Sequence, residues 1–92
     1  MRYPNQYDAF WAFCIELHEQ HTTKAEAYGK DAVGRFGLFG IVVRMNDKIE
    51  RLITLITEPH TVSDDESIDD TLRDLAGYAI IALILRSGKW GK

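Results

Sequence analysis

An all-α fold is what this sequence predicts: a small antiparallel three-helix bundle, completed by oligomerisation. Three observations carry that reading. Apolar residues recur at intervals of three and four in three separate stretches. Helix breakers, Tyr28-Gly29 with Gly34 and later Pro59, fall between those stretches. The third stretch ends in a run, Ala76 to Leu85, that is apolar on every side and exceeds what three helices can cover.

The first helix is expected over about residues 5–27. Pro4 is tolerated at a helix start, and Asn5 and Asp8 put polar and acidic groups where the first turn favours them. Phe10, Phe13, Cys14 and Leu17 make its apolar face, widened by Tyr7 and Trp11. A glycine-rich connection over 28–35 leads to a second helix over about 36–57, with Val42, Met45, Ile49, Leu52, Ile53 and Ile56 as its apolar stripe. Gly37 and Gly40 lie in its first turns, where missing side chains admit another helix or a ligand. Residues 58–65 form a polar connection containing Pro59, a stop signal, and Ser63 or Asp64 as candidate caps. The third helix is expected over about 65–86, followed by an irregular tail, 87–92, that is mobile unless Trp90 docks.

The chain reads as one domain, 1–92, with 46% hydrophobic and 27% charged residues, an ordinary globular balance. A net charge of −3 argues against general nucleic-acid binding, since no excess of cations is available to displace phosphate counterions. The single cysteine, Cys14, cannot close an internal disulfide and suits a reducing cytoplasm. The longest apolar run, Ala76 to Leu85, is half the ~20 residues of a membrane span, so neither a span nor a signal segment is expected.

On the third helix the expected core face is Leu72, Leu75, Ala76, Ala79 and Leu83. The opposite face, Asp70 and Asp74 continuing into Tyr78, Ile81 and Leu85, is expected to meet another subunit. The result would be a dimer or tetramer joined through the third helix, with the acidic stripe and a pocket at the junction.

Glu66, Asp70 and Asp74 are four apart, a helical stripe of like charge that costs about 0.2–0.5 kcal/mol per pair unless a cation faces it. In an antiparallel hairpin Glu50 comes level with Asp74, and Asp47 shares its flank, so Asp47, Glu50, Asp70 and Asp74 can converge. An all-oxygen set suits Mg²⁺ or Mn²⁺, which bridge to phosphates. The structural alternative is a salt-bridge ladder, because Arg44, Lys48 and Arg51 form a basic stripe that can reach Asp70 or Asp74. A mixed site is the third possibility, with carboxylates on metal and Arg44, Lys48 and Arg51 on phosphate.

Weaker candidates surround these. Tyr28-Gly29-Lys30 can stack on a base and meet phosphates, or simply end a helix. His18 and His21 are three apart but lack an evident third ligand, His60 sits in a polar loop, and Cys14 belongs to an apolar face. Trp11 and Trp90 can be stacking platforms or packing groups. No Walker A loop, Rossmann fingerprint, zinc pattern or Ser/His/Asp arrangement is present.

Two runs carry a resemblance. One is Tyr28-Gly29, Phe36-Gly37-Leu38, Gly40, Arg44, Asp47-Lys48 and Arg51-Leu52. The other is Asp65-Glu66-Ser67, Asp70-Thr71-Leu72 and Asp74-Leu75-Ala76-Gly77-Tyr78-Ala79. Together, over about 24–85, the chain resembles the phage-associated nucleotide modification associated domain 1 family, which implies nucleotide metabolism in a phage setting and a host-cytoplasmic location. More distantly it is similar to MazG-like all-α nucleoside triphosphate pyrophosphatases, which carry ExxE and ExxD motifs and bind Mg²⁺ at a subunit interface. Asp47-x-x-Glu50 can stand for the first pair, with Asp in place of its first Glu; before Asp74, Thr71 stands three back and Asp70 four back. The resemblance implies a Mg²⁺- or Mn²⁺-dependent (deoxy)nucleoside triphosphate pyrophosphohydrolase. Its metal would sit on Asp47, Glu50, Asp70 and Asp74, its phosphates on Arg44, Lys48 and Arg51, and Glu66 would orient water. A non-catalytic oligomer that sequesters a cyclic nucleotide signal of host defence is the alternative, and whether the protein is an enzyme stays open.

Overall fold

The computed structural model describes residues 4–29, 32–58 and 62–92, with side chains described at 4–29, 33–58 and 67–92. It is all-α: α1 spans Gln6–Tyr28, a short 3-10 turn spans Ala32–Gly34, α2 spans Gly37–Thr57 and α3 spans Val62–Ser87. No strand occurs among the described residues.

Each helix end has a local cause. Asn5 caps α1, its Oδ1 accepting from the backbone N–H of Tyr7 and of Asp8 at 3.0 Å each, a device that contributes about 1 kcal/mol. Gly29 stops α1 at φ 95°, where only glycine sits without strain. At the far end of α3, Gly88 takes φ 79°; its N–H donates to Leu85 O at 3.2 Å and the Lys89 N–H to Ile84 O at 3.3 Å. This paired Schellman arrangement reverses the chain and turns Trp90 back toward the bundle.

The third helix starts at Val62, three residues earlier than expected, so Ser63 and Asp64 lie in its first turn instead of capping it. Three consecutive acids, Asp64 to Glu66, favour helix at an N-terminus, where the dipole is positive. Pro59 and His60 lie outside the described residues.

Helices α2 and α3 form a closely packed antiparallel hairpin. Lys48 Nζ lies 3.3 Å from Asp74 Oδ2, and one turn on, Arg51 Nε donates to Thr71 Oγ1 at 3.2 Å. Those two contacts fix the register. The α1 helix meets α3 more sparingly, through Arg73: its Nε lies 2.7 Å from Glu16 Oε1, its Nη1 lies 3.3 Å from Asp70 Oδ1, and its guanidinium sits 5.9 Å from the Phe13 ring centroid. The helices therefore stand in the order α2, α3, α1.

Among the described residues only Ile41 and Thr71 are buried. Thr71 tolerates burial because its hydroxyl is satisfied twice, donating to Ser67 O at 2.6 Å and accepting from Arg51. This seat corrects the expected core face of α3. Leu75 and Ala79 are partly covered as expected, but Leu72 and Leu83 are 47% and 67% exposed and Ala76 is also exposed, whereas Tyr78, Ile81 and Leu85, expected to await another subunit, are partly covered within this chain. A helix apolar all round carries no periodic signal to choose its buried side, and the Thr71–Arg51 contact turns α3 by one residue. On α2, Met45 and Leu52 are covered as expected, together with Ile41 and Leu55, but Val42, Ile49, Ile53 and Ile56 are not. On α1, Cys14 and Leu17 are half-buried, while Tyr7, Phe10 and Trp11 face outward.

The glycines of the α2 start serve the backbone and near neighbours. Gly37 takes φ 68° and a side chain there would meet nothing, whereas Gly40 leaves room for Phe36 of its own first turn.

Candidate functional site

A cleft of about 520 Å³ runs between α1 and α3, closed at one end by the returning tail. Its floor is apolar, from Leu17 on α1 and Ile81 and Ile84 on α3. The aromatic rings of Tyr28, Tyr78 and Trp90 line it, and His18, His21 and Lys24 stand along the α1 edge. The periodicity of α1 explains that edge: positions 14, 17, 18, 21, 25 and 28 share one side of a helix, and the tail places Trp90 beside them.

Trp90 is held by shape. A Cβ at Gly34 would overlap the indole Nε1, so the ring occupies the space that glycine leaves open. The His21 ring packs against it at 5.5 Å between centroids, tilted by 51°. The indole N–H is buried and has no acceptor among the described residues.

The expected acids and bases are only partly brought together. Lys48 pairs with Asp74, and Arg51 donates to the neighbouring Thr71. Asp70 is taken by Arg73 of its own helix. Asp47 and Glu50 are exposed on α2, and Glu50 lies two residues from both Lys48 and Leu52, hence on the side of α2 turned away from α3. Arg44 is exposed. Among the described residues no three of His, Cys, Asp or Glu stand close enough to hold a metal ion. The acids that do approach Asp70 and Asp74 come from α1: Glu16 and Glu19 share a shallow polar depression with them around Arg73. Tyr28 lines the cleft; Lys30 and the Glu66 side chain lie outside the described residues.

No protein-family model matches the chain, and no curated protein or solved structure does either.

Sequence reasoning passed over Arg73 and the α1 partners. Asp70 and Arg73, three apart, were a legible helical pair, but Glu16 as the third member depends on how α1 lies against α3. None of the described helices is long and apolar enough to cross a membrane.

Proposed function

We propose that the protein binds a nucleotide in the α1–α3 cleft. The observation that supports this most is the pairing of aromatic rings, Tyr28 and Trp90, with the basic edge of His18, His21 and Lys24 over an apolar floor. A flat heteroaromatic base gains from stacking on rings and from leaving water, and the anionic end of the same molecule meets Lys24. The cleft volume of about 520 Å³ falls within the usual range for small-molecule sites. The resemblance of residues 24–85 to a nucleotide-associated family points to the same ligand class, and the lone thiol of Cys14 suits a cytoplasmic setting.

In its simplest form the protein retains its ligand unchanged, as a sequestering module for a cyclic or linear nucleotide. A second form is Mg²⁺- or Mn²⁺-dependent pyrophosphohydrolysis, the activity that the resemblance to all-α pyrophosphatases implies. The set Asp47, Glu50, Asp70 and Asp74 forms no metal-holding group among the described residues of one chain.

Incubation with mixed nucleoside triphosphates and cyclic nucleotides, with and without Mn²⁺, tests both forms. Mass spectrometry of the bound and free fractions is expected to find one intact nucleotide retained. Tyr28→Ala is expected to weaken retention by about 5- to 150-fold, the worth of one base–aromatic stack. Metal-dependent appearance of monophosphate and pyrophosphate would establish the hydrolytic form. If no nucleotide is held or consumed, the cleft has another purpose.

A further inference from the structure

The seven glycines of the chain divide six to one. Gly29, Gly37, Gly88 and Gly91 take positive φ, Gly34 makes room for the Trp90 ring, and Gly40 makes room for Phe36. Gly77 does none of these. It lies inside α3 without a positive φ, and a Cβ there would meet nothing within 4 Å beyond its own turn among the described residues. Glycine weakens a helix interior relative to alanine, and no packing or backbone need within the described chain offsets that here.

The gap opens on the α1–α3 cleft, which Gly77 lines. A helical side chain leans toward the N-terminus and covers the turn before its own Cα. The stretch that Gly77 leaves bare is therefore the turn carrying Asp74, itself a lining residue. Asp74 and Lys24 also line the polar depression around Arg73, so they mark where the apolar cleft meets its polar neighbour. Asp74 gives Oδ2 to Lys48 at 3.3 Å and stays partly exposed. A carboxylate offers about four acceptor sites, more than one ammonium fills.

We propose that this junction seats a ribose, with Gly77 admitting the sugar against the bare α3 backbone and Asp74 accepting a hydrogen bond from its 2′-hydroxyl. The seat rests on the cleft being a nucleotide site, and it narrows the ligand class to ribonucleotides. In a nucleotide the sugar joins a flat, weakly polar base to an anionic phosphate. The junction keeps the same company, with the rings of Tyr28 and Trp90 in the cleft and Lys24 at its edge. A carboxylate welcomes hydroxyl donors and repels phosphate, so it fixes which part of the ligand lies beside it. Dinucleotide-binding folds pair an acid with a ribose 2′-hydroxyl in the same way. That hydroxyl is free in linear and in 3′,5′-cyclic nucleotides alike, so the seat serves either.

Equilibrium binding tests it, with the four ribonucleoside triphosphates and the 3′,5′-cyclic monophosphates of adenosine and guanosine, each paired with its 2′-deoxy counterpart. For the nucleotide bound tightest, the ribose form is expected to bind about 10- to 150-fold more tightly than the deoxy form, the worth of a hydrogen bond to a charged group. Asp74→Ala is expected to abolish that ratio and to leave the deoxy form bound as before. Lys48→Met breaks the same ion pair but keeps the carboxylate, and is expected to retain the ratio. Gly77→Ala is expected to raise the unfolding midpoint by about 4–8 °C, because the methyl enters open space, and to weaken both forms by about tenfold or more.

Equal affinities for the ribose and deoxyribose forms overturn the proposal, as does a stabilised Gly77→Ala chain that binds as before. A ratio lost as fully in Lys48→Met as in Asp74→Ala belongs to the ion pair and also overturns it. So does weaker binding by Gly77→Ala that comes with a changed sedimentation coefficient, since another chain then uses the gap. If Tyr28→Ala weakens binding and the Gly77 and Asp74 variants change nothing, the cleft remains a nucleotide site and only the sugar seat falls. If the unmodified chain binds no nucleotide, the cleft reading fails and the seat fails with it.

Discussion

Ile41→Ala is expected to lower stability by about 2–5 kcal/mol, a large share of the ~5–15 kcal/mol that holds a domain together. Ile41 is the one apolar side chain with no exposed surface among the described residues, at the turn of α2 that faces α3. Its loss removes burial and leaves a cavity, and neighbours as exposed as Val42 and Val43 are poorly placed to fill it. Thermal unfolding followed by helical circular dichroism should show the midpoint falling by at least ~8 °C for a chain this short. Ile53→Ala, at a half-exposed position, provides the contrast and should change the monomer far less. Equal losses at the two sites would mean that the α2–α3 contact is not where this chain holds itself together.

Gly34→Ala should expel Trp90 from its seat. The added methyl carbon would occupy the position of the indole Nε1, and a rigid bicyclic ring cannot bend aside as a flexible chain end would. The expected cost is about 1–3 kcal/mol, the burial forfeited by one large side chain. The optical signature is more specific. In a Trp11→Phe background Trp90 is the sole indole, and its emission should shift to the red as the ring enters water. Nucleotide retention should fall with it, because the ring forms the end of the cleft. A variant with unshifted emission would show that the tail is not held at Gly34.

Much of this architecture was legible because it is local. A polar start at Asn5 and Asp8, the break at Tyr28-Gly29 and the three helical stretches each follow from a few adjacent residues, and all appear within three residues of where they were expected. What escaped was the choice of faces. The α3 helix is apolar all round, so its sequence offers no vote between Leu72-Ala76-Leu83 and Tyr78-Ile81-Leu85; a buried hydroxyl at Thr71 and its arginine decide the matter. The four expected acids are not gathered within one chain for a related reason. Asp47 and Glu50 share a flank with each other, but the side of α2 that meets α3 is marked by Lys48 and Leu52, and Glu50 is half a turn away from it. The cleft depends on Gly34, Trp90 and α1 meeting across the fold, which no spacing within one helix encodes.

Arg73, which joins α1 to the hairpin, has a consequence for how the molecule breathes. Among the described residues α1 is tied down by Arg73, which reaches Glu16 and stands over Phe13, and by Trp90 against His21, whereas α2 and α3 are joined along their length. Openings that release α1 as a unit therefore require far less free energy than openings that part the hairpin. Amide protons of Gln6–Tyr28 should exchange with deuterium well ahead of those around Ile41 and Thr71. A compound that fills the cleft bridges the loose helix to the firm one, so its affinity should be readable as slowed exchange along α1 alone.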